Sequence, residues 1–224
     1  EINKYGKGAF RTDIPSTNAG KINVNDGTFS LNGNTHENSG SINIAANAVF
    51  GVVGNAIYTI NEGSSFTGTG LYSTGLNGTQ GNTIWNKLLS SLNFKWEMRN
   101  GTSSGSAITL NNAENFWWGG TINHQLDIAS GASLKFTAFA SHILNGTLNN
   151  YGNFNWETGP SILCNGAIIN NFGNFYFNSQ AGDIWRIING SGTNRFNNFS
   201  SGVIENGPGS ITIEPETSLQ GTLE

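Results

Sequence analysis

The sequence predicts an all-β fold: a parallel β-helix, or β-solenoid, of about 20–21 residues per turn and roughly ten turns, spanning residues 1–224 as a single domain. Two recurring sequence elements and an unusual composition predict it. The first element is an apolar residue, any residue, and a second apolar residue. It reads Phe94-Lys95-Trp96, Phe116-Trp117-Trp118, Leu134-Lys135-Phe136, Phe154-Asn155-Trp156 and Phe175-Tyr176-Phe177, with steps of 22, 18, 20 and 21 residues. It extends downstream to Phe196, and upstream through Leu71 and Phe50 to Phe29-Ser30-Leu31. The second element is Gly, any residue, then Ile or Leu, as in Gly20-Lys21-Ile22, Gly40-Ser41-Ile42, Gly120-Thr121-Ile122, Gly146-Thr147-Leu148, Gly166-Ala167-Ile168 and Gly202-Val203-Ile204. The composition supplies 31 glycines and 35 asparagines against four prolines.

Each element has a physical reason. An apolar pair at i and i+2 puts both side chains on one face of a strand. Two such short strands per turn cannot bury a core alone. Coiling the chain stacks each pair on its counterpart one turn later, so the interior becomes columns of like residues. Gly and Asn suit the corners because they tolerate left-handed backbone, and Asn side chains also form ladders between turns. An antiparallel sandwich also has many short strands, but its hairpins do not demand a register near twenty over six or more copies. The register weakens over 70–91. That segment is expected to be an irregular excursion, with Ile84-Trp85-Asn86-Lys87-Leu88-Leu89 a short helix or loop.

Composition also excludes function classes. The net charge is −4 and the ten Lys and Arg do not cluster, which argues against nucleic acid as a partner. One cysteine, Cys164, rules out an intrachain disulfide and a Cys-rich zinc site. No apolar stretch reaches the length of a membrane span. No signal peptide opens the chain, and Glu1-Ile2-Asn3-Lys4 reads as the start of a processed or excised segment.

The stretches 146–154 (Gly-Thr-Leu-Asn-Asn-Tyr-Gly-Asn-Phe) and 166–175 (Gly-Ala-Ile-Ile-Asn-Asn-Phe-Gly-Asn-Phe) carry a resemblance. The pattern resembles the filamentous-haemagglutinin-like and related β-helix repeats of bacterial surface adhesins, over most of the chain and most clearly from 93 to 213. The resemblance implies a right-handed solenoid, export, a secreted or cell-surface location, and an adhesive or structural role. It supplies no functional residues.

A search for chemistry returns little. His36, His124 and His142 share no metal-ligand spacing and are expected at turns or on the surface, and no metal or cofactor is expected. Phosphate-loop and nucleophile-elbow motifs are absent; Gly101-Thr102-Ser103-Ser104-Gly105 reads as a loop. A polysaccharide-cleaving β-helix needs clustered acids, yet the four Asp residues are dispersed. Glu97 and Glu157 share a register position three turns apart, or about 14 Å at 4.8 Å per turn, too far for a glycosidase pair. The chain is not expected to be an enzyme. Thr67-Gly68-Thr69 is isolated, which weighs against an ice-binding array. Asn-x-Ser/Thr sites at Asn77, Asn100, Asn145, Asn189 and Asn198 matter only where secreted proteins are glycosylated.

Trp96, Trp118 and Trp156, as second members of the inward pair, are assigned to the core. The residues between the pairs then point outward: Lys95, Trp117, Lys135, Asn155 and Tyr176. Exposed aromatics interleaved with Lys make Lys95, Trp117, Lys135 and Tyr176 the candidate ligand- or partner-binding stripe, cell-surface glycans being one class of partner. At the C-terminus Gly221-Thr222-Leu223 repeats Gly146-Thr147-Leu148, the opening of a full turn. End-to-end continuation with neighbouring repeats or other copies is therefore expected. The leading functional expectation is an exported structural or adhesive module, with a polysaccharide-binding or polysaccharide-cleaving β-helix second and an ice-binding solenoid third.

Overall fold

Thirty-two short strands, all paired in parallel, wind through three faces of a β-solenoid in the computed structural model, which describes residues 1–86, 89–137, 140–159 and 161–224. Each rung visits face one, face two and face three in turn. The first rung is Ile2–Lys4, Ala9–Thr12 and Ser16–Asn18. Ten rungs are complete, and Glu216–Leu219 with Thr222–Leu223 begin an eleventh. Face two is one sheet of eleven strands and face three one of ten. Face one is split into a four-stranded and a seven-stranded sheet, its ladder breaking between Ser65–Gly68 and Leu89–Leu92.

The sequence pattern anticipates two strands per turn; the structure has three. Face three escapes a hydrophobic search because much of what it turns inward is small or polar. One of its inward columns runs Ser16, His36, Tyr58, Thr83, Ser103, Ile122, Leu144, Cys164. Most of the polar members bond inside the wall, the Tyr58 hydroxyl being an exception. Thr83 Oγ1 lies 2.9 Å from both Tyr72 Oη and Thr74 Oγ1, and Trp85 Nε1 donates to Ser103 Oγ at 2.9 Å. Buried polar groups persist where they are paired in this way.

The segment expected to be irregular, 70–91, carries two strands in full register, Leu71–Thr74 on face two and Gly81–Trp85 on face three. Ile84 and Trp85 belong to the second of these, not to a helix. The excursion is confined to the corner between the two strands, where a 3-10 turn, Leu76–Gly78, lays Leu76 against the outer side of Gly51. Lys87 and Leu88 lie outside the described residues.

The core columns of face two confirm stacking of like side chains. One runs Phe10, Phe29, Phe50, Tyr72, Trp96, with Phe29 and Tyr72 each stacked on Phe50 at 5.6 and 5.8 Å. Asparagine ladders tie the rungs at the corners. Buried Asn150 donates to Asn171 Oδ1 and Asn171 to Asn198 Oδ1, both at 2.7 Å. A second, outward ladder runs beside it: Asn149 donates to Asp127, Asn170 to Asn149 and Asn197 to Asn170, at 2.7–2.8 Å. At the corner entering face three, Gly81, Gly101 and Gly120 stand in line on successive rungs. Gly101 has φ +100°, and a Cβ there would sit 1.9 Å from the Gly81 carbonyl oxygen, so no other residue fits.

Candidate functional site

Lys95, Lys135 and Tyr176 do lie on the outer side of face two. Trp117 does not: it is fully buried, 5.5 Å from the Phe136 ring and 5.3 Å from the His142 ring. The three apolar residues Phe116-Trp117-Trp118 allow two registers, and a buried asparagine chooses between them. Asn115 takes the inward place below Trp96, accepts a hydrogen bond from the Trp96 N–H at 3.1 Å, and donates to the carbonyls of Asn112 and Ser133. Trp117 follows it inward, and Phe116 and Trp118 turn outward. Trp118 is therefore half-buried on the surface rather than a core residue, whereas Trp96 and Trp156 are in the core. A slip of two positions separates Lys95 from the other candidates. Lys135, Asn155 and Tyr176 share a column with Glu97 and Phe116, while Lys95 sits one outward place earlier, against Glu114. Glu97 consequently aligns with Asn155, not with Glu157.

What stands outward is a cluster of rings and ion pairs. Phe116 and Trp118 stack at 5.7 Å; Arg99 lies 5.2 Å from the Trp118 ring and Lys135 5.6 Å from the Phe116 ring. Each cation is held by an acid. Arg99 Nε donates to Glu97 Oε1 at 2.9 Å, Lys135 lies 3.7 Å from Glu157, and Lys95 bonds Glu114 at 2.5 Å. Glu97 is covered and also accepts from Ser73 Oγ at 2.6 Å. The Lys95 hydrogen bond, aided by the charges of Lys95 and Lys135, holds the Glu114 carboxyl below the usual range. Both rings already carry a ring neighbour and a cation, so the cluster ties rungs together more than it offers an open platform.

The three histidines are buried, contrary to their expected place at turns or on the surface. His36 and His142 are turned inward on face three, while His124 does sit at a turn, the bend after Gly120–Asn123, but is covered there; each is bonded. His36 lies 2.8 Å from Ser16 Oγ through Nδ1 and 2.9 Å from the Gly33 carbonyl through Nε2. His124 Nε2 lies 2.8 Å from Ser103 Oγ, and burial pushes its pKa down. His142 is packed 3.8 Å from the Phe136 ring, and burial lowers its pKa to about 4, opposed by bonds to the Trp117 and Thr137 carbonyls. Burial raises the Cys164 thiol to about 12. Among the described residues no three His, Cys, Asp or Glu side chains come close enough to hold a metal ion.

Across the corner from Trp118, on face three, lies a groove of about 330 Å³. Asn82, Thr102 and Thr121 line it as one outward column on successive rungs, with Gln80 and Ser141 beside them and Ile143 continuing the column as an apolar wall. The backbone of Gly101 and Gly120 borders it. The sequence reading missed this groove. Its signal was present as Gly81-Asn82, Gly101-Thr102 and Gly120-Thr121, a Gly followed by a small polar residue on three consecutive rungs.

No protein-family model, curated protein or solved structure matches the chain.

Proposed function

We propose that the chain is a structural and adhesive β-solenoid module of an exported, secreted or surface-attached protein, continuing end to end with neighbouring repeats or further copies. The observation that supports this is the unbroken parallel alignment of eleven strands on face two, with side-chain columns, asparagine ladders and the ion pairs Lys95–Glu114, Lys135–Glu157 and Arg195–Glu216 running along the axis. Such an array holds its outer side chains at a fixed spacing of about 4.8 Å per rung. The end rungs keep an open pairing edge, and Phe10, Leu219 and Leu223 there are half exposed.

The test is attachment without turnover. Beads coated with the chain are expected to adhere to polysaccharide-coated surfaces above albumin-coated controls, and to leave the polysaccharide uncut. Release of new reducing ends would point instead to a cleaving β-helix, and equal attachment of control beads would remove the adhesive role.

A further inference from the structure

The groove on face three gathers five polar side chains that, among the described residues, bond neither one another nor the rest of the wall, beside Asn100, which donates to the Gly78 carbonyl and accepts from the Gly101 N–H. Elsewhere asparagines bond one another along the axis, as in Asn145 to Asn123 at 2.6 Å and Asn165 to Asn145 at 3.1 Å. In the groove, the side chains of Gln80, Asn82, Thr102, Thr121 and Ser141 make no hydrogen bond within the described residues. Two amides and three hydroxyls are thus gathered around one concavity with their donors and acceptors open to an incoming molecule.

We propose that this groove binds a segment of a neutral glycan. The lining chemistry selects the class. No charged side chain lines the groove, so a phosphate, sulfate or carboxylate would find no countercharge and a metal ion no carboxylate. Amides and hydroxyls match sugar hydroxyls, which both donate and accept. Ala140 and Ile143 offer an apolar wall to the C–H face of a sugar ring. Gly101 and Gly120 add backbone to its border. The volume lies at the low end for small-molecule sites, and Asn82, Thr102 and Thr121 repeat one rung apart, which suits a chain of repeating units over a single compact metabolite. The Phe116–Trp118 pair is a weaker candidate, since both rings already have partners. The inference deepens the adhesive reading by giving it a ligand class.

The experiment is an amide-resolved NMR titration of the full chain with tetrasaccharides of glucose, mannose and N-acetylglucosamine, and with tetragalacturonate as a charged control. An open groove of this kind binds with a Kd on the order of millimolar. At least one neutral tetrasaccharide is expected to shift the amides of Asn82, Thr102, Thr121 and Ser141. The double variant T102V/T121V keeps the strand propensity and removes two hydroxyls; it is expected to melt as the parent does and to bind about tenfold more weakly. The proposal is overturned if no neutral tetrasaccharide shifts these amides at about 10 mM, or if the shifts persist undiminished in T102V/T121V. Preferential binding of tetragalacturonate in the groove would overturn the neutral assignment. Loss of groove binding with retained bead attachment would place adhesion elsewhere on the module, so the two readings fail separately.

Discussion

His142 sits between two rings in a wall one residue thick, and that position fixes its chemistry. Its folded pKa of about 4 lies below its ordinary value of 6.5. Between those two values the unfolded chain takes up a proton that the folded chain refuses. Stability is therefore fully present above about pH 6.5 and falls as the pH drops toward 4, by about 3 kcal/mol across the window. Urea unfolding at pH 7 and at pH 4.5 will show this loss, and His142→Leu will remove most of it, His124 accounting for a remainder. An unchanged slope in the variant would assign the effect elsewhere. Cys164 behaves as a small apolar residue: a thiol raised to about 12 and packed in the core is expected to ignore Ellman's reagent until the chain is unfolded in guanidinium. At this scale the sequence is legible where a residue type has one use. Phe154 and Trp156 read directly as core. Trp117 did not, because the choice between two equally apolar registers rests on three hydrogen bonds of Asn115, which no hydrophobic pattern encodes.

At the scale of elements, the asparagine ladders divide into structural and superficial. Asn171 is buried and joins Asn150, Asn198 and the Val203 carbonyl, bonded to it at 3.0 Å. Asn171→Ala strands two buried amides and is expected to lower stability by about 3 kcal/mol. Asn170 occupies the neighbouring outward place with similar bond lengths but water at hand, so Asn170→Ala is expected to cost less than about 1 kcal/mol. Chemical denaturation of the pair measures the contrast; equal losses would mean the inward ladder holds nothing special. Faces one and two were legible from their apolar spacing. Of face three only Gly120-Thr121-Ile122 stood out, and the groove did not, because a wall that turns Thr83, Ser103 and His142 inward and Asn82, Thr102 and Thr121 outward has little hydrophobic contrast between its sides.

For the whole molecule, every rung touches only the rungs before and after it, so stability follows a nearest-neighbour sum. Hydrogen exchange is expected to run inward from both ends, with the amides of Ile2–Lys4 and Glu216–Leu219 lost first and those of Leu126–Ile128 and Ser133–Phe136 last. Uniform protection along the axis would show instead that the rungs unfold as one unit.

The corners have a separate consequence. The turn from face one to face two takes two residues after Asn171, while that from face two to face three takes six after Phe177, and strand register is kept on both sides. Chain length is thus set outside the wall. At 178–183 the backbone passes through exposed Gln180, Ala181 and Gly182, with open space where a Gly182 side chain would be. A foreign peptide spliced in there would be carried on the flank of the column with its two ends pinned by neighbouring strands. The solenoid is in that sense a ready-made display frame, on which epitopes grafted at successive corners would be spaced by the rung rather than by a linker.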